Sequence, residues 1–179
     1  MISLKKFVAE SNRIEGIDDV SRKDMEAHEN LLARPHLAVR DIEQFVSLVQ
    51  PNAILRRPVG LNVRVGNHIA PAGGPKIEPA LEAILKSANN LMDSPAKLGF
   101  DVSYGAYVTH LDYEDLHPFS DGNGRSGRAI WLWMRRGLTG RGFLYEWNKQ
   151  VLSFGDLGFE VLRARYYSSL RAVKEPKRG

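Results

Sequence analysis

The sequence has no cysteine in its 179 residues, which excludes disulfides and thiolate metal sites. That absence fits a reducing compartment and predicts a cytoplasmic protein. No stretch approaches the roughly 18 apolar residues of a membrane span. The opening MISLKKFVAESNRIEG carries two lysines but no apolar run after them, so no secretory signal is expected. No G-x-x-x-x-G-K-[ST] run is present, which argues against a Walker-type ATPase. Internal repeats and long linkers are also missing. Charge is not concentrated: the formal net charge is +4 and the pI about 9.4, but the cations are scattered apart from Lys174, Lys177 and Arg178. A solvated surface is therefore expected rather than a nucleic-acid site.

What is present is ordinary for a globular chain, with 43% hydrophobic and 26% charged residues. The length suits one compact unit with its own core. Most segments read as helices. Ser3–Arg13 is a short helix that stops near Gly16. Ser21 with Asp24 forms an N-cap signal for a helix over Arg22–Ala33, closed by Pro35. Ile42, Phe45, Val46 and Val49 have the i, i+3, i+4, i+7 spacing of an amphipathic helix that ends before Pro51. Val63 and Val65 alternate with Arg64, and Gly66-Asn67 can turn the chain, so Asn62–Ala70 predicts a small β-hairpin. Further helices are expected over Ile77–Leu91, Ser103–Asp115, Asn123–Arg136 and Leu157–Val173. The middle of Asn123–Arg136 is apolar all round and should be buried on most sides, with Gly137 capping its end. The fold class is mainly α with one small hairpin, divided into an N-terminal region, 1–36, and a core, 37–175.

The chemistry concentrates in His117–Arg128, which reads H-P-F-S-D-G-N-G-R-S-G-R. Asp121-Gly122-Asn123-Gly124 is a glycine-permissive turn running into a buried helix, so backbone N–H groups can form an anion nest at a helix N-terminus. Arg125 and Arg128 share a face of the first helical turn and add two guanidinium forks. Asp121 is a hard oxygen ligand suited to Mg²⁺, which uses one or two carboxylates plus substrate phosphates. His117 is a base near neutral pH. Taken singly, Asp121 reads equally as an N-cap, Asn123 as a turn residue and His117 as a core histidine. Together they describe attack of a hydroxyl on a nucleotide phosphate.

The segment resembles the Fic family motif H-P-F-x-[DE]-G-N-G-R-x-x-R at all nine fixed positions: His117, Pro118, Phe119, Asp121, Gly122, Asn123, Gly124, Arg125 and Arg128. At roughly 5% per position, a chance match is on the order of 10⁻¹² per window. His110, preceded by Ala106, and the stretch Asn62–His68 also resemble the family, the latter its β-hairpin flap. One departure is visible: the arginine that often opens the flap has no clear equivalent, because Arg56 and Arg57 come too early. Ser11-Asn12-Arg13-Ile14-Glu15-Gly16 is similar to [ST]-x-x-x-E-[GN], the inhibitory motif of regulated members. Its place ahead of the core is class II-like.

The resemblance implies a Fic-type helical bundle and a protein adenylyltransferase that moves AMP from ATP to a Ser, Thr or Tyr hydroxyl of a target protein. It implies His117 as catalytic base and Asp121 as the Mg²⁺ ligand. Gly122, Asn123, Gly124, Arg125 and Arg128 would bind the phosphates. Val63, Arg64 and Val65 would form the flap that docks the target by strand addition. Ser11 and Glu15 would be inhibitory, with Glu15 pairing with Arg128. Gly124 stands where the Doc branch, which phosphorylates, has lysine. Removal of AMP, transfer of another nucleotide, and a dormant binding module remain as alternatives. A homodimer is compatible with this scheme, because it could tune access to the inhibitory helix. Trp147 and Tyr166-Tyr167 are candidates either for the nucleotide base pocket or for the core.

Overall fold

A computed structural model describes residues 2–93, 102–136, 141–151 and 157–172. Its elements run α1 (Leu4–Ile14), α2 (Arg22–Leu32), α3 (Val39–Val49), β1 (Arg64–Val65), β2 (His68–Ile69), α4 (Ile77–Asp93), α5 (Val102–Leu116), α6 (Asn123–Met134), α7 (Phe143–Val151) and α8 (Phe159–Ala172). The architecture is helical with a single two-stranded antiparallel sheet among the described residues. None of their helices is long and apolar enough to cross a membrane.

The local signals explain where elements start and stop. Gly16 sits at φ 78°. It lets Ile17 N–H reach the Asn12 carbonyl and Gly16 N–H reach that of Arg13, a Schellman end for α1. Ser21 and Asp24 form a reciprocal capping box at the start of α2. The hairpin turns through Gly66-Asn67, pairing Arg64 with Ile69 and Val65 with His68. Val63 lies just before the strand, so the paired segment is one residue shorter at that end than its alternation predicts. At the other end of the molecule α6 stops at Met134, and Arg136 takes a left-handed φ of 52°. Arg136 thus fills the conformation expected of Gly137, which lies outside the described residues.

Helix α6 is the axis of the fold. Every residue from Arg125 to Met134 is buried, as its all-round apolarity requires. It packs against α5, α1, α2 and α3. Tyr113 ties α5 to its first turn by a 2.7 Å hydrogen bond to Ser126. The sequence signals missed α7. Its first amides are capped from far away: Glu10 of α1 accepts from Phe143 N at 2.6 Å and more weakly from Leu144 N. Burial raises the Glu10 pKa against the pull of those amides. Phe7, Trp131, Phe143, Trp147 and Tyr166 pack ring on ring around this junction, so α1 shares the core of the rest of the chain.

Two histidines belong to this interior. Burial lowers His28 to about 4. Burial, helped by the Arg128 charge, lowers His110 to about 3. Both are neutral in the folded protein, whereas the unfolded chain protonates them near 6.5. Between those limits the unfolded state holds more protons, so their contribution is intact above about pH 6.5 and is lost as pH falls. The two together should remove roughly 3–4 kcal/mol of unfolding free energy between pH 7 and pH 5. The raised Glu10 carboxyl works in the opposite sense, so the measured loss is net of it. Urea denaturation at the two pH values checks this; equal midpoints would contradict it.

Candidate active site

His117 follows the last residue of α5 and adopts φ 49°. Its amide still bonds the Tyr113 carbonyl as a final helical turn would, at 2.9 Å. The loop after it lies antiparallel to the segment that follows α3. Leu55 bridges Phe119, Arg56 N donates to Pro118 O, and Ser120 N donates to Ile54 O. Asn123 closes the loop from the other side. Its side-chain amide donates to Phe119 O and accepts from Phe119 N, both at 2.8 Å. What Asn123 can offer a ligand is therefore its backbone N–H at the start of α6, not its side chain. Gly122, at φ 77°, is the N-cap. A Cβ there would press on Gln50 and Val46 of the α3 end.

These elements frame a cavity of about 450 Å³ lined by His117, Asp121, Gly122, Asn123, Gly124, Arg125 and Arg128, with Glu15, Gln50, Glu114, Val65, Tyr166 and Tyr167 among its other walls. The Nδ1 of His117 faces two acceptors on α5, the Glu114 carbonyl at 3.3 Å and the Glu114 carboxylate at 3.7 Å. The carbonyl can only accept, which assigns the proton of a neutral ring to Nδ1 and leaves Nε2 as its basic nitrogen. Asp121 is exposed. It accepts from the Gly122 amide at 2.7 Å and from the Gln50 amide at 2.7 Å. Among the described residues no cluster of three metal-ligating side chains exists. One exposed carboxylate beside the start of α6 nevertheless fits Mg²⁺, which completes its shell with water and substrate phosphates.

The two arginines differ. Arg125 lies 2.6 Å from Gln50 Oε1 and 3.9 Å from Asp24, and burial lowers its pKa. Arg128 is fully buried. Its Nε donates to Ser11 Oγ at 2.9 Å and its Nη2 to the Ser11 carbonyl at 2.9 Å and to Glu15 Oε1 at 2.6 Å. Burial alone would lower the Arg128 pKa, but the Glu15 carboxylate outweighs it and the guanidinium is held firmly charged. A Cβ on Gly124 would collide with that same carboxylate, so the Glu15 side chain lies directly over the N-terminal turn of α6. Ser11 and Glu15 thus meet Arg128, which lies 113 or more residues further along the sequence.

Of the three residues expected to form the flap, one reaches the cavity. Val65 lines the cavity, while Val63 is half-buried just outside the strand. Arg64 is exposed and turns back to the Gly66 carbonyl. His68 Nε2 lies 3.1 Å from the Asp115 carbonyl and ties the hairpin to the end of α5. Of the aromatic candidates, Tyr166 and Tyr167 line the cavity. Trp147 is wholly buried and donates to Ser169 at 2.8 Å, which makes it core.

Three residues near the site were not marked as site residues by the sequence. Asp24 holds the α2 cap and faces Arg125. Gln50 joins Asp121 to Arg125. Arg56, which stands too early in the sequence to open the flap, nevertheless reaches its base. Its buried side chain donates to the carbonyls of Leu61, Pro71, Leu116 and His117. Its partners at the end of α5, Leu116 and His117, lie 60 and 61 residues away, which hid this role from the sequence.

A search of curated proteins finds no match. Among solved structures, the chain is similar to a Fic family protein from Desulfovibrio desulfuricans G20, with 17% identity and a TM-score of 0.52. That match covers 97% of this chain but 52% of the other, so the present chain spans about half the length of that relative. At this identity the likeness concerns the fold. The model of the Fic/DOC family matches residues 25–134, a span that holds α3, the hairpin, the whole His117–Arg128 loop and α6, and on that match the chain belongs to the Fic/DOC family.

Proposed function

We propose that this protein transfers AMP from ATP to a hydroxyl side chain of a protein target and that Glu15 holds this activity down. The observation that carries the reading is one cavity in which the basic nitrogen of His117, the Asp121 carboxylate, the amides of α6 and two arginines converge. His117 Nε2 takes the proton of the attacking Ser, Thr or Tyr hydroxyl. The hydroxyl oxygen forms a bond to the α-phosphorus, the bond from that phosphorus to the β-phosphate oxygen breaks, and pyrophosphate leaves. Asp121 would hold Mg²⁺, which when bound supplies positive charge against the phosphates. The Asn123 and Gly124 amides cradle the anion beyond the Gly122 turn, whose own amide is held by Asp121, and Arg125 and Arg128 take the β- and γ-phosphates. The flap at Val63–Val65 pairs with an extended target segment, since both strands of so small a sheet have a free edge.

A second reading, removal of AMP, draws on Glu15, whose side chain is 34% exposed and lines the same cavity as His117. There the carboxylate would orient a water. Release of AMP from a pre-modified target that requires Glu15 would favour it.

The test uses the Glu15→Gly protein in a lysate with ATP labelled at the α- or the γ-phosphate, and with GTP, CTP and UTP labelled at the α-phosphate. The α-label should appear on protein and the γ-label should not. His117→Ala in the same background should cut transfer by about 10²–10⁴-fold. Transfer of the γ-label would make the protein a kinase, and no label from any nucleotide would reject the reading.

A further inference from the structure

Gln50 is the C-cap of α3, 71 residues before Asp121 in sequence and beside it in space. Its backbone is fixed on both sides: its amide donates to Val46 O at 2.7 Å, and its carbonyl accepts from Ala53 N at 2.9 Å. Its side chain crosses the mouth of the cavity. The Nε2 donates to Asp121 Oδ2 at 2.7 Å, and the Oε1 accepts from Arg125 Nη2 at 2.6 Å. The orientation of this amide is not ambiguous, because a carboxylate only accepts and a guanidinium only donates.

The Asp121 charge is close enough to be felt at Arg125. The alternative to such a spacer is a direct ion pair. Such a pair would occupy both groups, the one meant for a metal ion and the one meant for a phosphate. A neutral amide with a donor at one end and an acceptor at the other satisfies both without neutralising either. A glutamate here would repel Asp121, a lysine would pair with it, and an asparagine is too short to span the two. The Gly122 turn, whose Cα faces the Gln50 stem, holds the loop against this side chain.

We propose that Gln50 is a positioning residue that keeps the Asp121 carboxylate and the Arg125 guanidinium apart and available, so that Mg²⁺ and the β-phosphate bind together rather than in competition. The proposal rests on the nucleotide reading above and adds to it a residue outside the motif. The Asp121 donor set is a single carboxylate, so its aim matters more than in a site with several protein ligands.

The test compares Gln50→Met and Gln50→Glu with Gln50 itself, all in the Glu15→Gly background, by calorimetric binding of ATP with Mg²⁺ and of ATP with a chelator present. Loss of an outer partner of a metal ligand typically costs 10–100-fold in metal affinity. The MgATP affinity of Gln50→Met should therefore fall about 10-fold or more, while its chelated-ATP affinity changes less. Gln50→Glu should also need more Mg²⁺ for half-maximal transfer. Excess Mg²⁺ should rescue the rate of either variant, a response that a merely misfolded loop would not give. Equal loss of MgATP and chelated-ATP binding, or no loss of either, would overturn the proposal. A parent that binds no MgATP at all would instead overturn the nucleotide reading, and this proposal with it.

Discussion

Replacing Glu15 by glycine is expected to raise AMP transfer by roughly 10- to 100-fold, the factor set by a charge-assisted hydrogen bond of about 1.5–3 kcal/mol. The carboxylate lies 2.6 Å from Nη2 of Arg128, and Arg128 is fully buried, so water screens the bond poorly on the arginine side. The same carboxylate covers Gly124, where the α6 amides would meet a phosphate. Glu15 thus removes the phosphate's partner and adds a like charge beside its seat. Helix α1 should stay docked in the variant. Arg128 keeps both bonds to Ser11, Glu10 keeps its hold on the start of α7, and Phe7 and Val8 remain in the core. The gain should appear in the rate at subsaturating ATP, with a melting temperature lower by about 3–10 °C because the same bond is lost from the fold. Ser11→Ala deletes one neutral hydroxyl and should activate far less. An unchanged rate in Glu15→Gly, with α1 still folded by circular dichroism, would remove Glu15 from the regulation of this site.

Features set by neighbours in sequence were legible. The loop from His117 to Arg128 is continuous, and its glycines, its N-terminal amides and its paired arginines follow from spacing alone. Gly16, the Ser21–Asp24 box and the Gly66-Asn67 turn are likewise local rules of cap and turn. What was hidden depends on partners far along the chain. Helix α7 escaped because the carboxylate capping it belongs to Glu10 of α1. Asn123 looked like a turn residue or a ligand, but it staples Phe119 through both ends of its amide. Gln50 reads in sequence as the last polar residue before Pro51, and only the fold brings Asp121 and Arg125 to its two ends. The end of α6 puts the left-handed conformation on Arg136, a residue that conformational preference alone would not choose for it.

Arg56 and Arg57 are neighbours in sequence, yet their replacement by methionine should have opposite weights. Arg57 is clamped between Glu43 and Glu78, but its side chain is 43% exposed. Solvent-exposed ion pairs contribute about 0–1 kcal/mol, so Arg57→Met should scarcely move the melting temperature. Arg56 has no exposed surface, and its side-chain bonds to Leu61, Pro71, Leu116 and His117 all end on main-chain carbonyls, the shortest at 2.7 Å to His117. Burial lowers its pKa, but the carbonyls at the end of α5 supply the negative pole that a cation needs there. Methionine fills much of the same space and leaves those acceptors without donors, at about 1–3 kcal/mol for each that water cannot reach. The net loss should be about 3–5 kcal/mol, which for a chain of this size lowers the melting temperature by about 10 °C. Transfer should fall as well, in excess of what unfolding explains, because Arg56 holds the carbonyl of a histidine in a left-handed conformation and both ends of the hairpin segment at once. Arg56→Lys keeps the charge but not the fork, and should recover only part of either loss. If Arg56→Met melts within about 2 °C of the parent, an effect below ~1 kcal/mol, the carbonyls are satisfied by water and Arg56 is not what fastens the flap to His117.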